Sequence, residues 1–372
     1  MSSQPLAPSA VEENSSLGAT PRPVSTGSRL NDDGAANRAT HTNVRAGGVG
    51  ERKARIRAIG RFLFARVVQA VVVVWSAVTL TFIAVHLAPG SIIDNLLTEA
   101  ERANAELRAQ VIREWGLDQP VIIQYLGYLG KVVRGDLGTS YAQHRSVNDI
   151  FAEQFPYTIQ LTVAAMVIAV VVALIGSLFV STTSHPVVRA FYEGSELTLL
   201  STPPFWFGIL LLSIFSFQLG WFPVAGATGL ISLVLPALAI GIPEGGNLSQ
   251  ILRQGIGRGL DEPFVMTARS RGLSPGSVKR RHLLRHASIP AVTVGTMMVG
   301  NLLGGAVITE QVFGRPGLGQ IAVNAIWAKD LPVILAIALV SSLVFVVAST
   351  VIDLLYIAID PRIRTALGKK KS

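Results

Sequence analysis

The sequence predicts an all-α membrane protein of six transmembrane helices, with a small helical insertion after the first span. Composition is the first reason. Half of the 372 residues are hydrophobic and 15% are charged, against about 25% charged in a soluble domain, and the mean hydropathy is +0.48. Run length is the second. The stretches 66–87, 157–181, 196–219, 229–249, 289–309 and 331–358 each reach the roughly 20 mostly apolar residues that cross a bilayer. They lack the alternating polar face of helices in a soluble core. The third is charge: Lys and Arg gather in alternate connections, as they do on the cytoplasmic side of a membrane.

A net charge of +9 would suggest a nucleic-acid partner in a soluble chain. Here the positives sit beside apolar runs, so lipid headgroups are the expected partner and nucleic acid is not. The chain has no Cys, which excludes disulfides, thiolate catalysis and Cys-ligated metal.

Residues 1–50, rich in Ser, Ala, Gly, Asn and Thr, read as a disordered tail. A basic juxtamembrane segment, 51–65, leads into span one. The connection 88–156 holds six Lys/Arg against nine Asp/Glu. Long loops of this kind translocate regardless of charge. Within it, ERANAELRAQVIREWG reads as a helix stopping near Gly116, PVIIQYLGYLGKVV as a second, and RGDLGTS as a turn. Ser146 and Asp149 have the spacing of a cap for a helix leading into span two. Span three carries Pro203 and Pro204 near its start. Span four carries Pro236, Pro243 and Gly245-Gly246, so a bent or partly unwound helix is expected there.

The segments 1–65, 182–195, 250–288 and 359–372 fall on one side, and 250–288 and the basic tail 359–372 are strongly positive. The opposite connections carry little: 220–228 has no Lys or Arg, and 310–330 has Arg315 and Lys329. Both termini are therefore expected in the cytoplasm. GIPEG at 241–245 and GNLLG at 300–304 allow close helix approach. They suggest that spans four and five pack against each other or against a partner.

Signatures of several enzyme classes are missing. There is no GxxxxGK[ST], HExxH or GxSxG, so neither a nucleotide-binding P-loop nor two common hydrolase sites is expected. His282 and His286 stand four apart, but among basic residues that repel a metal ion. A charge in lipid costs at least about 2.5 kcal/mol, so intramembrane ionisable groups are candidate functional residues. They are His86, Glu244, Glu310 and Asp353. Interfacial or packing roles suit His86, Glu310 and Asp353, although Glu310 stays a candidate for the pathway. Glu244 follows Pro243 in the interrupted span, so this pair is a candidate for lining a polar pathway.

The basic stretch Thr267–Pro290 lies in the 250–288 loop. Asp261 and Glu262 precede Pro263 at a helix start, PFVMTARSRGL stops near Gly272, and Ser274-Pro275 restarts a second helix. Two short helices would project into the cytoplasm, as a lipid anchor or as a docking face using the small residues Ala268 and Gly272.

The stretch resembles the signature loop of the membrane subunits of binding-protein-dependent ABC importers, in the oligopeptide and dipeptide permease branch. That pattern is an aromatic, then T-A-R-x-[KR]-G, then R-H-x-L-R…IP. It is met by Phe264, Thr267, Ala268, Arg269, Arg271, Gly272, Arg281, His282, Leu284, Arg285, Ile289 and Pro290. GLDQP at 116–120, RGDLGTS at 134–140, PYTIQLT, STPPFWFG at 201–208, EQVFGRPGLG at 310–319 and DPR at 360–362 are similar to the same branch. The chain departs from it at LAPGSI, where Ser91 replaces an acid, at Arg315, which replaces an aromatic, and in its long tail. The resemblance implies the type I ABC importer permease fold in a bacterial plasma membrane. The implied partners are a second, similar permease, two cytoplasmic ATPases holding ATP and Mg, and an extracytoplasmic substrate-binding protein. It implies no cofactor or catalytic residue in this chain, and a peptide cargo, with a nickel chelate, haem or sugar as alternatives within the same architecture and a secondary transporter or channel as the remote one. In that reading Arg145, Arg315 and Gly317 face the substrate-binding protein, and Phe264 to Arg285 couple to an ATPase.

Overall fold

The computed structural model describes residues 47–89, 93, 105–183, 185–279 and 283–359. Residues 1–46, Ser91, Arg281, His282 and 360–372 lie outside the described residues, as does the Arg285 side chain. By contacts the chain divides into Met1–Ile56 and Arg57–Ser372. Of the first unit only 47–56 are described, in the opening turns of helix α1, Gly47–Leu87.

In the second unit the insertion forms α2 (Ala105–Glu114) and α3 (Val121–Val133). Gly116 ends α2 with φ +66°, a left-handed conformation that costs glycine nothing. Helix α4, Val147–Thr182, begins ten residues before the expected span and runs unbroken through Pro156. Ser146 precedes it without a side-chain cap. The expected capping box is therefore absent, and Ser146 is held by a backbone bridge to Thr139.

The third apolar run departs from the single expected span. It is a pair of helices, α5 (Pro186–Ser201) and α6 (Pro204–Leu211), with a wide turn over Leu212–Gln218 continuing α6. The two halves bend by 107°. The cause is local. A residue before proline is pushed out of the α region, and Thr202 and Pro203, each preceding a proline, have ψ of 126° and 133°.

Span four corrects the expectation in the other direction. Helix α7, Ile231–Gly259, contains Pro236 and Pro243 yet stays continuous. Each proline removes one backbone bond, and packing holds the helix together: 61% of its apolar window is buried, against 11% for Phe64–Leu87 of α1. Gly241 and Gly245 face α4, where an added Cβ would stand 2.7 Å from the Ala165 carbonyl and 2.8 Å from that of Ala169. The glycine pair thus brings the backbones of spans four and two together. Spans four and five do not use their glycine pairs on each other: Gly300 faces Phe345, and Gly304 faces open space.

The chain then forms α8 (Pro263–Ser270), α9 (Pro275–Val278), α10 (Leu284–Val312), α11 (Leu318–Ala328) and α12 (Leu331–Ile359). Among the described residues five helices are long and apolar enough to cross a membrane, and the bent pair makes a sixth if counted as one span. The main core joins α4, α7, α8 and α10 through Leu161, Ala169, Ile240, Leu252, Ala268, Leu283 and Leu302. A second cluster joins the start of α4 to α11 and α12 through Val147, Ile150, Leu318 and Val333.

Candidate functional site

Helices α8 and α9 project from the end of the bundle where α4 and α7 finish. The arrangement follows from amphipathicity. Val265 and Ala268 are only 2% and 9% exposed, while Met266 on the opposite face is 76% exposed. Thr267, Arg269 and Arg271 are exposed, and Phe264 is half-buried against the core. Ala268 therefore faces this chain's own core, which corrects its expected place on a docking strip beside Gly272. Gly272 is exposed and has φ +81°. Its N–H donates to the Arg269 carbonyl at 2.9 Å, and the Leu273 N–H donates to the Ala268 carbonyl at 3.3 Å. This pattern of two crossed bonds ends a helix at a left-handed residue, so the glycine is required by the backbone. Asp261 does not cap α8: Glu262 occupies the cap position, without a side-chain bond.

Lys279 ties the projection to the bundle by donating to the Ser181 carbonyl at the end of α4. Burial, followed by the like charges of Arg269 and Arg189, holds this ammonium below the usual lysine range. Beside it opens a cleft of about 590 Å³ lined in part by Arg189, Glu193, Gln250 and Arg253. Arg253 donates to Glu196 and, at 3.4 Å, to Glu193, and stands 5.7 Å over the Tyr192 ring. Sequence reasoning missed this cluster, because its partners are 57 and 60 residues apart along the chain.

At the opposite end, RGDLGTS is a rigid cradle. Asp136 Oδ1 accepts from the Gly138 N–H at 2.8 Å, and Asn148 bridges the Leu137 N–H and the Gly135 carbonyl. The cradle docks on Asp330, 1% exposed, which accepts from Ser140 Oγ and from the Tyr141 and Ala142 N–H groups. The Tyr141 phenol is pushed up to about 12, first by burial and then by the Asp330 charge.

EQVFGRPGLG closes on itself. Glu310, fully buried, accepts from Thr158 Oγ1 and from the Gly319 N–H, each at 2.7 Å. A carboxylate here caps α11 and answers its dipole. A Cβ on Gly317 would fall 2.2 Å from the Glu310 carboxyl, so Gly317 is buried by necessity. Arg315 is 2% exposed. Its guanidinium reaches Gln160 at 3.3 Å and Ser232 at 3.5 Å and lies 5.8 Å over Tyr157. These contacts correct two expectations. Arg315 and Gly317 face inward and are not exposed contacts for another protein, and Glu310 is a structural group with its acceptors in use. Arg145 is exposed and pairs with Glu153 at 2.6 Å.

Of the remaining candidates, His86 packs on Phe82 at 4.1 Å and bonds its carbonyl at 2.9 Å. Asp353 pairs with Arg66 across α1 and α12. Pro243 is buried, whereas Glu244, next to it, is half-buried and meets the Asn301 side chain of α10.

Comparison with known proteins places this geometry. The family model for the binding-protein-dependent transport system inner membrane component matches residues 174–365, and the model for the N-terminal part of such membrane components matches 59–162. The glutathione transport system permease protein GsiC of Salmonella paratyphi A is 36% identical over 77% of this chain and 92% of its own length. GsiC of Escherichia coli K12 is 35% identical over the same shares. Among solved structures, the inward-facing MetNI methionine ABC transporter aligns with TM-score 0.49 at 14% identity, covering 57% of this chain and 96% of that one. The chain therefore belongs to the binding-protein-dependent transport system inner membrane components: it is the permease subunit of an ABC importer, and ATP hydrolysis is carried by separate subunits.

Proposed function

We propose that this permease forms half of a peptide pathway, paired with a second, similar permease, with both termini in the cytoplasm. The observation that supports the coupling role is the division of α8 into a buried face, Val265 and Ala268, and an exposed one, Met266, Thr267, Arg269 and Arg271. The exposed face meets an ATPase. The half-buried Phe264 and the Gly272 stop set its angle. Closure of the ATPases on ATP moves α8 and α9. Lys279 and the main core pass that movement to α4, α7 and α10, as rigid elements with two packed arrangements. The α2–α3 end, with Arg145 exposed, faces the substrate-binding protein.

Peptide cargo is supported by the signature loop and by the relatives named for glutathione, itself a tripeptide. Glu244 belongs to the pathway, whereas Pro243 and Glu310 serve packing. The test is uptake of labelled tri-alanine into proteoliposomes holding both permeases, the ATPases and the cognate receptor. ATP-dependent accumulation is expected. Failure of the receptor to bind any small peptide, with uptake of another cargo, would overturn the peptide reading.

A further inference from the structure

Glu244 stands near the middle of α7, Ile231–Gly259, and differs from the other carboxylates in or beside the spans. Glu310 is bonded by Thr158 and Gly319, Glu196 is paired with Arg253 through one oxygen, Asp353 with Arg66, and Asp330 is bonded by Ser140. Among the described residues Glu244 has no cation, and its neighbour is the neutral amide of Asn301. A charge left unpaired at this depth is costly, and such residues face a water-filled cavity or another protein rather than lipid.

The surroundings give the direction. Gly241 and Gly245 commit one side of α7 to α4. On an adjacent side Ile240 approaches Gly305, and Glu244 meets Asn301 one turn further along both helices. Asn301 lies on an exposed stripe of α10 with Met297, Gly304 and Ile308, and an added Cβ at Gly304 would meet nothing within 4 Å. That face mixes an amide, a glycine and a thioether. The exposed face of α1, by contrast, shows Val67, Val68, Val71, Val72 and Trp75 and suits lipid. The carboxylate thus borders a surface of mixed polarity at mid-depth.

We propose that Glu244 is the cation-recognising group of the pathway and takes the ammonium of the passing cargo, with Asn301 orienting the carboxylate. The chemistry is a charge-assisted hydrogen bond, which is strong where water is scarce. For a peptide the ammonium is the free amino terminus, so this assignment rests on the peptide reading above.

Two measurements on the full transporter test it. The chain has no Cys, so Glu244→Cys gives this subunit a single thiol. That thiol is expected to react with a water-soluble cationic methanethiosulfonate, and absence of reaction with and without ATP would place Glu244 against protein or lipid and overturn the proposal. The second compares tri-alanine with N-acetyl-tri-alanine, each at receptor-saturating concentration. Glu244→Gln is expected to slow tri-alanine uptake by about tenfold or more and to leave the acetylated peptide unchanged, with Glu244→Asp restoring the difference. Equal loss on both peptides, or no loss on either, would refute recognition of the ammonium. A receptor that binds neither peptide would instead count against the peptide reading, and the thiol experiment would still decide where Glu244 faces.

Discussion

Replacing Gly272 separates a backbone requirement from a docking requirement. Gly272 has φ +81° and nothing within 4 Å of an added Cβ. Any L-residue there is strained by about 1–2 kcal/mol, and Asn, which tolerates the left-handed region, by less. Because the space is open, Gly272→Trp is expected to cost this chain no more than Gly272→Ala. That is a small part of the roughly 5–15 kcal/mol that holds a typical domain. All three variants should insert and melt within a few degrees of one another in detergent. If the projection seats on an ATPase, the indole meets that partner. Transport coupled to ATP hydrolysis should then fall steeply for Gly272→Trp and little for Gly272→Asn. The assay is uptake and phosphate release measured together in proteoliposomes with all partner subunits. Full coupled uptake by Gly272→Trp would refute docking at this surface, and equal loss in Gly272→Ala would assign the residue's role to helix termination alone.

Other outcomes follow from the two buried polar clusters and the exposed outer turn. Gly317→Ala forces a methyl onto the Glu310 carboxyl and is expected to destabilise by about 1–3 kcal/mol or more, read as a lowered melting temperature of the purified transporter. Asp330→Ala leaves the Ser140 hydroxyl and the Tyr141 and Ala142 amides without their acceptor. A cost of about 1–3 kcal/mol is expected for such a loss, seen as faster proteolysis across 134–146. A photo-cross-linker at position 145 is expected to capture the substrate-binding protein, and one at 315 is not, because Arg315 is 2% exposed. Capture from 315 alone would invert the placement.

Local features were legible without a fold. The position of Gly116, the double proline at 203–204 and the stop at Gly272 each have their effect through the φ/ψ limits of one or two residues. The outcome at 203–204 was nonetheless sharper than expected, a 107° break between two helices. The prolines of α7 misled in the opposite sense, because neighbouring helices hold a helix that local rules would unwind. Ala268 and Gly272 share a spacing that suggested a common surface, yet one faces the core and the other solvent. Helical spacing gives a face but not what covers it.

The sequence by itself determined the all-helical class, the apolar runs and the two-helix projection. Run length, charge placement and turn chemistry are properties of neighbouring residues. Tertiary structure decided which polar groups are spent in holding the bundle together and which remain available. Arg315 looked exposed and is buried over Tyr157, and Glu310 is held by Thr158, 152 residues away along the chain. Arg253 and Glu196 meet across 57 residues. The role of a charge depends on its partners, and those come from parts of the chain that only packing brings together.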